Sequence, residues 1–80
     1  MTPETKAQCR VICEELGRQG GAVTAYELRD ALAARYGNRR WFTAETLQRR
    51  MRAMAAHDGS IEISKRAGPN GAHCYRVSQP

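Results

Sequence analysis

Three threonines do most to limit what this chain can fold into. A threonine just before a 3.6-residue apolar periodicity marks a helix start, because its hydroxyl satisfies a backbone N–H that the first turn leaves unpaired. Thr2 stands before Pro3 and Glu4, which suit the first helical position and the positive end of the helix dipole. Thr24 opens the stretch "TAYE". This is a capping box, in which Thr24 and Glu27 satisfy each other's backbone donors, and Val23 before it is placed to staple onto Leu28. Thr43 follows Phe42, which is placed to staple onto Leu47.

Each start leads into an apolar stripe and then a stop. Cys9, Ile12, Cys13 and Leu16 line one face of the first helix, and "GRQGG" breaks it, with Gly17 as the expected C-terminal cap. Leu28, Ala31, Leu32 and Tyr36 line the second, which Gly37 ends. The third helix, 43–57, buries Leu47, Met51, Met54 and Ala55 and closes on "HDG". At about 100° per residue, Arg49, Arg52 and Ala56 fall opposite that stripe, with Gln48 and Arg50 on its flanks. The tail, 60–78, reads as a β-hairpin. "SIEIS" turns Ile61 and Ile63 inward and Glu62 outward, "CYRVS" sets Tyr75 and Val77 against Cys74, Arg76 and Ser78, and "KRAGPNGAH" between them is turn chemistry. Two strands alone are marginal, so the hairpin must pack on the helices, and Val23 offers one further short strand. The expected fold is a single α+β domain over 1–80: a three-helix bundle with a C-terminal β-hairpin wing. Leu16, Leu28, Leu32, Leu47, Met51, Ile61 and Tyr75 are expected to be buried together.

Several function classes are disfavoured at once. A chain of 80 residues buries only about 60% of its unfolded surface, so its core is thin and leaves little room for a substrate pocket. No apolar run approaches the roughly 20 residues of a membrane span, and the start of the chain is polar, so the expectation is a soluble cytoplasmic protein of a bacterium or phage-infected cell. There is no Ser, His and Asp arrangement and no Gly-rich phosphate loop opening a helix, and Glu14 and Glu15 lie on different faces, so no enzyme activity is expected. Cys9, Cys13 and Cys74 are odd in number and lack a disulfide or CxxC spacing, so they read as small apolar thiols and no cofactor is expected. The rival reading is a zinc site from these three with His73 or His57. His57 itself reads as a residue suited to the helix C-terminus, and Tyr26 as part-buried scaffold.

The charge is the informative part. Residues 1–36 hold five basic and five acidic side chains, a net of zero, whereas residues 37–80 hold eight basic against three acidic, which is the whole net charge of +5. Such asymmetry is the electrostatic footprint of a polyanion-binding surface. The stretches "GGAVTAYELRDAL" and "FTAETLQRRMRAMAAHDGSIEI", with a hairpin closing on "CYRV", resemble the winged helix-turn-helix domains of bacterial and phage transcriptional regulators. One departure is "GNRRWF", longer than the usual 3–4-residue turn between the second and third helices.

The resemblance implies sequence-specific binding of double-stranded DNA and transcriptional regulation or an accessory role in a phage or mobile element. Helix 43–57 would be the recognition helix in the major groove, and hairpin 60–78 the wing on the flanking backbone. Residue chemistry points the same way, since arginine bonds guanine O6 and N7 in pairs and glutamine does so for adenine N6 and N7. Thr43, Thr46, Gln48, Arg49 and Arg52 are candidates for groove contacts, Arg39, Arg40 and Arg50 for phosphates, and Lys65, Arg66, Asn70 and His73 for the wing. Trp41 is expected to pack beside Phe42 at the core edge rather than stack on a base. The alternatives are a winged-helix module whose basic face meets an acidic protein partner, such as a phage inhibitor or adaptor of a host complex, and RNA binding. Neither the DNA sequence bound nor the oligomeric state is legible.

Overall fold

Three helices precede a two-stranded antiparallel hairpin in the computed structural model, which describes residues 2–65 and 71–78. α1 runs Pro3–Gln19, α2 Ala25–Tyr36 and α3 Ala44–Asp58, and β1 (Ile61–Lys65) pairs with β2 (His73–Val77). This is an α+β layout consistent with a winged helix. None of the helices is long and apolar enough to cross a membrane.

All three threonines cap as their positions require. Thr2, Thr24 and Thr43 accept from the backbone N–H of Thr5, Glu27 and Thr46, and the Thr24–Glu27 box is reciprocal, with Glu27 Oε1 accepting from the Thr24 N–H at 2.8 Å. The stops are glycines, but one is not where the sequence put it. α1 runs through Gly17 and ends at Gly20, whose φ of 72° is the left-handed conformation a helix needs to leave. The last turn stays helical because Arg18 and Gln19 both donate to Glu15, three and four residues back.

The core forms where the stripes of α1, α2 and α3 meet β2. Ile12, Leu28, Leu32, Leu47, Met51 and Tyr75 are fully buried, and Leu16 and Ile61 nearly so. Each such side chain contributes about 1.5–3 kcal/mol relative to exposure. Phe42 is buried beside Leu47 in the same cluster, and Val23 closes the sheet by exchanging two backbone hydrogen bonds with Tyr75, at 2.8 and 3.0 Å. The strand order is therefore Val23, β2, β1, with β1 at the edge.

Three expectations about facing need correction. Ile63 is 41% exposed although it pairs with the buried Tyr75, because the hairpin's edge strand runs beyond the helices after Ile61. Cys74 is buried although it alternates with Tyr75; its thiol donates to the Ala72 carbonyl at 3.9 Å. Period-two alternation assigns faces correctly only where one face is packed and the other wet along the whole strand. Tyr26 is 58% exposed on α2, with the Arg29 guanidinium 5.3 Å from its ring centre.

One buried charge joins α1 to α2. The Glu15 side chain is 1% exposed and accepts from Arg35 Nε (2.7 Å), Gln19 Nε2 (2.8 Å) and, more weakly, Arg18 Nη1 (3.5 Å). Burial alone would raise its pKa, but the hydrogen bonds from Gln19 and Arg35 and the two guanidinium charges outweigh burial and hold the carboxyl below the ordinary value.

Candidate nucleic-acid interface

α3 is anchored along one side by Leu47, Met51 and Met54, which fixes what its other side presents. Arg49 and Arg52 are exposed on that outer side together with the small residues Ala53 and Ala56, so nothing bulky on the helix stands between the guanidiniums and an approaching surface. Thr46 and Gln48 are half-buried at its margins. Thr43 is exposed, but its hydroxyl is occupied as an acceptor for the Thr46 N–H at 3.2 Å. Glu45 is exposed on the outer side one turn before Arg49 and is not among the candidates drawn from the sequence. Its i, i+4 spacing places it on the same face as Arg49.

The long connection before α3 is held by aromatic packing. Phe42 is buried, Trp41 meets it edge-on with centroids 4.7 Å apart, and Tyr36 lies 6.5 Å from the Phe42 ring. The Phe42 N–H donates to the Arg39 carbonyl at 3.0 Å. With Trp41 and Phe42 committed inward as expected, Arg39 and Arg40 are left on the surface just ahead of α3.

Arg50 has a different setting from the other arginines of this region. Its Nε donates to Oε1 of the buried Gln8 at 3.0 Å, which ties the flank of α3 to α1 and uses a donor expected to meet phosphate. On the hairpin, Lys65 and His73 are exposed and face each other as the last pair of the ladder. Arg66 and Asn70 lie outside the described residues.

The ion pairs divide the arginines into two groups. Arg18 pairs with Glu14 and Glu15, Arg29 with Asp30, Arg35 with Glu15 and Arg76 with Glu62. Among the described residues no ion pair or side-chain hydrogen bond engages Arg39, Arg40, Arg49 or Arg52. Arg10 on α1 is likewise unpaired, so four of the five such arginines among the described residues gather on α3 and the loop leading to it.

The three cysteines are free thiols, and the structure does not assemble the zinc set: no group of three or more His, Cys, Asp or Glu among the described residues is placed to hold a metal ion. The chain matches no protein-family model and has no significant match among curated proteins or solved structures.

Proposed function

We propose that the chain is a double-stranded DNA-binding domain of winged-helix type, with α3 reading the major groove and the β1–β2 hairpin touching the flanking backbone. The observation that carries this reading is the clustering of four surface arginines, Arg39, Arg40, Arg49 and Arg52, without an acidic partner among the described residues, whereas Arg18, Arg29, Arg35 and Arg76 are matched to carboxylates and the one further unpaired arginine, Arg10, stands alone on α1. A guanidinium kept unpaired at a surface retains its full set of donors for an external acceptor. α3 has 15 residues, a rod of about 22 Å, and a major groove about 12 Å wide admits such a helix. Arg49 and Arg52 would meet base edges, and Arg39 and Arg40 phosphates. Glu45, at the N-terminal end, disfavours a close phosphate and suits the exocyclic amine of cytosine. A role in transcriptional regulation, or as a phage or mobile-element accessory factor, extends the same proposal.

The test is fluorescence anisotropy with a labelled duplex across a salt series. Neutralising about five phosphates gives a slope of log affinity against log salt of about −4 to −5. Arg49→Ala or Arg52→Ala weakens binding to a preferred site by about 1–3 kcal/mol and relaxes sequence choice. Lys65→Ala weakens all duplexes evenly and makes the salt slope shallower. Arg10→Ala, on α1, is the control and leaves binding unchanged. Absence of binding in low salt, or an Arg10→Ala loss equal to that of Arg49→Ala, overturns the reading. Stronger competition by RNA or by an acidic protein than by duplex DNA would turn the same surface over to those partners.

A further inference from the structure

On the flank of α3 that faces α1, a groove of about 750 Å³ runs between the two helices. Lys6, Cys9, Arg10 and Cys13 of α1 line it, opposite Met54 and His57 of α3. Three sulfur atoms therefore face one open space. Cys13 Sγ lies 3.7 Å from Met54 Sδ, and Cys9 sits one helical turn before Cys13 on the same stripe. Two sulfurs bound to one metal at about 2.3 Å stand about 3.8–4.0 Å apart in tetrahedral or trigonal geometry, so the Cys13–Met54 pair already has the spacing of a ligand edge.

We propose that Cys9, Cys13 and Met54 form a binding site for a soft monovalent metal ion, Cu(I) or its analogue Ag(I). The donor set decides the metal class. Without the thioether, no three His, Cys, Asp or Glu among the described residues are placed to hold one ion, although His57 and Asp58 share the groove, so the borderline ion zinc lacks its ligands. With the thioether, the set is two thiols and a methionine, the combination that selects Cu(I). Binding replaces two S–H protons with two metal–thiolate bonds, and Met54 Sδ donates a lone pair. The metal stays at +1, two protons are released, and the complex carries one negative charge. Lys6 and Arg10 on the groove wall offset that charge against the one carboxylate there, Asp58, and neither has an ion-pair partner among the described residues. Burial raises the pKa of both thiols; Arg50 opposes this at Cys9, Cys9 adds to it at Cys13, and the Asp58 carboxylate adds to it at both. The free protein therefore holds them protonated and inert until a metal displaces the protons. The proposal does not depend on the DNA reading.

The experiment titrates the reduced 80-residue chain, without oxygen, against Cu(I) held by a chromogenic chelator. Wild type and Cys74→Ser each withdraw one equivalent and release two protons. Cys13→Ser loses at least about tenfold to a hundredfold in affinity, as even outer-shell changes cost that much. Met54→Leu keeps the volume and, with its fold checked by circular dichroism, also loses at least about tenfold. The Met54 methyl resonance shifts on Cu(I) addition and not on Zn(II) addition. No withdrawal of Cu(I), affinity unchanged in Met54→Leu, or loss of the site in Cys74→Ser overturns the assignment.

Discussion

Glu15→Gln tests the buried charge that joins α1 to α2. Glutamine keeps the size of the side chain but presents an NH2 where one carboxylate oxygen accepted a hydrogen bond. Gln19 and Arg35 donate to different oxygens of Glu15, so the substitution loses one of two short bonds whichever way the amide turns. A hydrogen bond to a charged group contributes about 1.5–3 kcal/mol. The Arg35 and Arg18 side chains are 45% and 43% exposed, so solvent screens part of their attraction to the carboxylate. The expected loss is about 1–3 kcal/mol at neutral pH, a fall in Tm of roughly 5–20 °C for a domain of this size. The pH dependence has a definite sign. The folded carboxyl lies below its unfolded value of about 4.3, so the unfolded chain binds the proton first as pH falls. The advantage of wild type over Glu15→Gln is complete above that value and disappears as pH drops through the folded pKa. Urea denaturation of both proteins from neutral to acid pH measures it. A difference below about 0.5 kcal/mol at neutral pH, or one that persists unchanged in acid, refutes the reasoning, because the charge would then not be what holds the helices.

Three further substitutions test the glycine stop and the buried hydroxyl. Gly17→Ala sits inside α1 with open space around the new methyl, so it should stabilise by about 0.5–1 kcal/mol, whereas Gly20→Ala at φ 72° should destabilise by about 1–2 kcal/mol; chemical denaturation of the pair reads both signs. Tyr75→Phe removes a buried hydroxyl that has no hydrogen-bond partner among the described residues, so stability should stay level or rise by about 1 kcal/mol, and a clear loss of Tm would show that the hydroxyl is bonded.

Helix starts were legible because a cap is a local device: Thr24 and Glu27 need only each other and the backbone between them. The core list was legible for the same reason, since Leu47, Met51 and Met54 share a face at helical spacing whatever they pack against. Gly17 misled because a glycine ends a helix only where the chain turns left-handed, and that depended on Glu15 holding Arg18 and Gln19 in the last turn. Ile63 misled because strand facing depends on how far the helices extend under the hairpin, and Cys74 because both faces of β2 are covered at that point; both are tertiary facts. In the candidate site, the outward placement of Arg49 and Arg52 followed from periodicity. The link from Arg50 to Gln8 did not, because it spans 42 positions. The groove with Cys9, Cys13 and Met54 was half legible: the two thiols share a stripe, but the thioether comes from another helix.

The central claim is that α3 and the hairpin form a DNA-binding surface. Its most direct test is an NMR titration of the isotope-labelled chain with a mixed-sequence duplex. The account predicts amide shifts from Arg39 through Arg52 and at Lys65 and His73, with α1 around Lys6 and Arg10 unmoved. Shifts centred on α1, or an unchanged spectrum with DNA in excess at low salt, would contradict it.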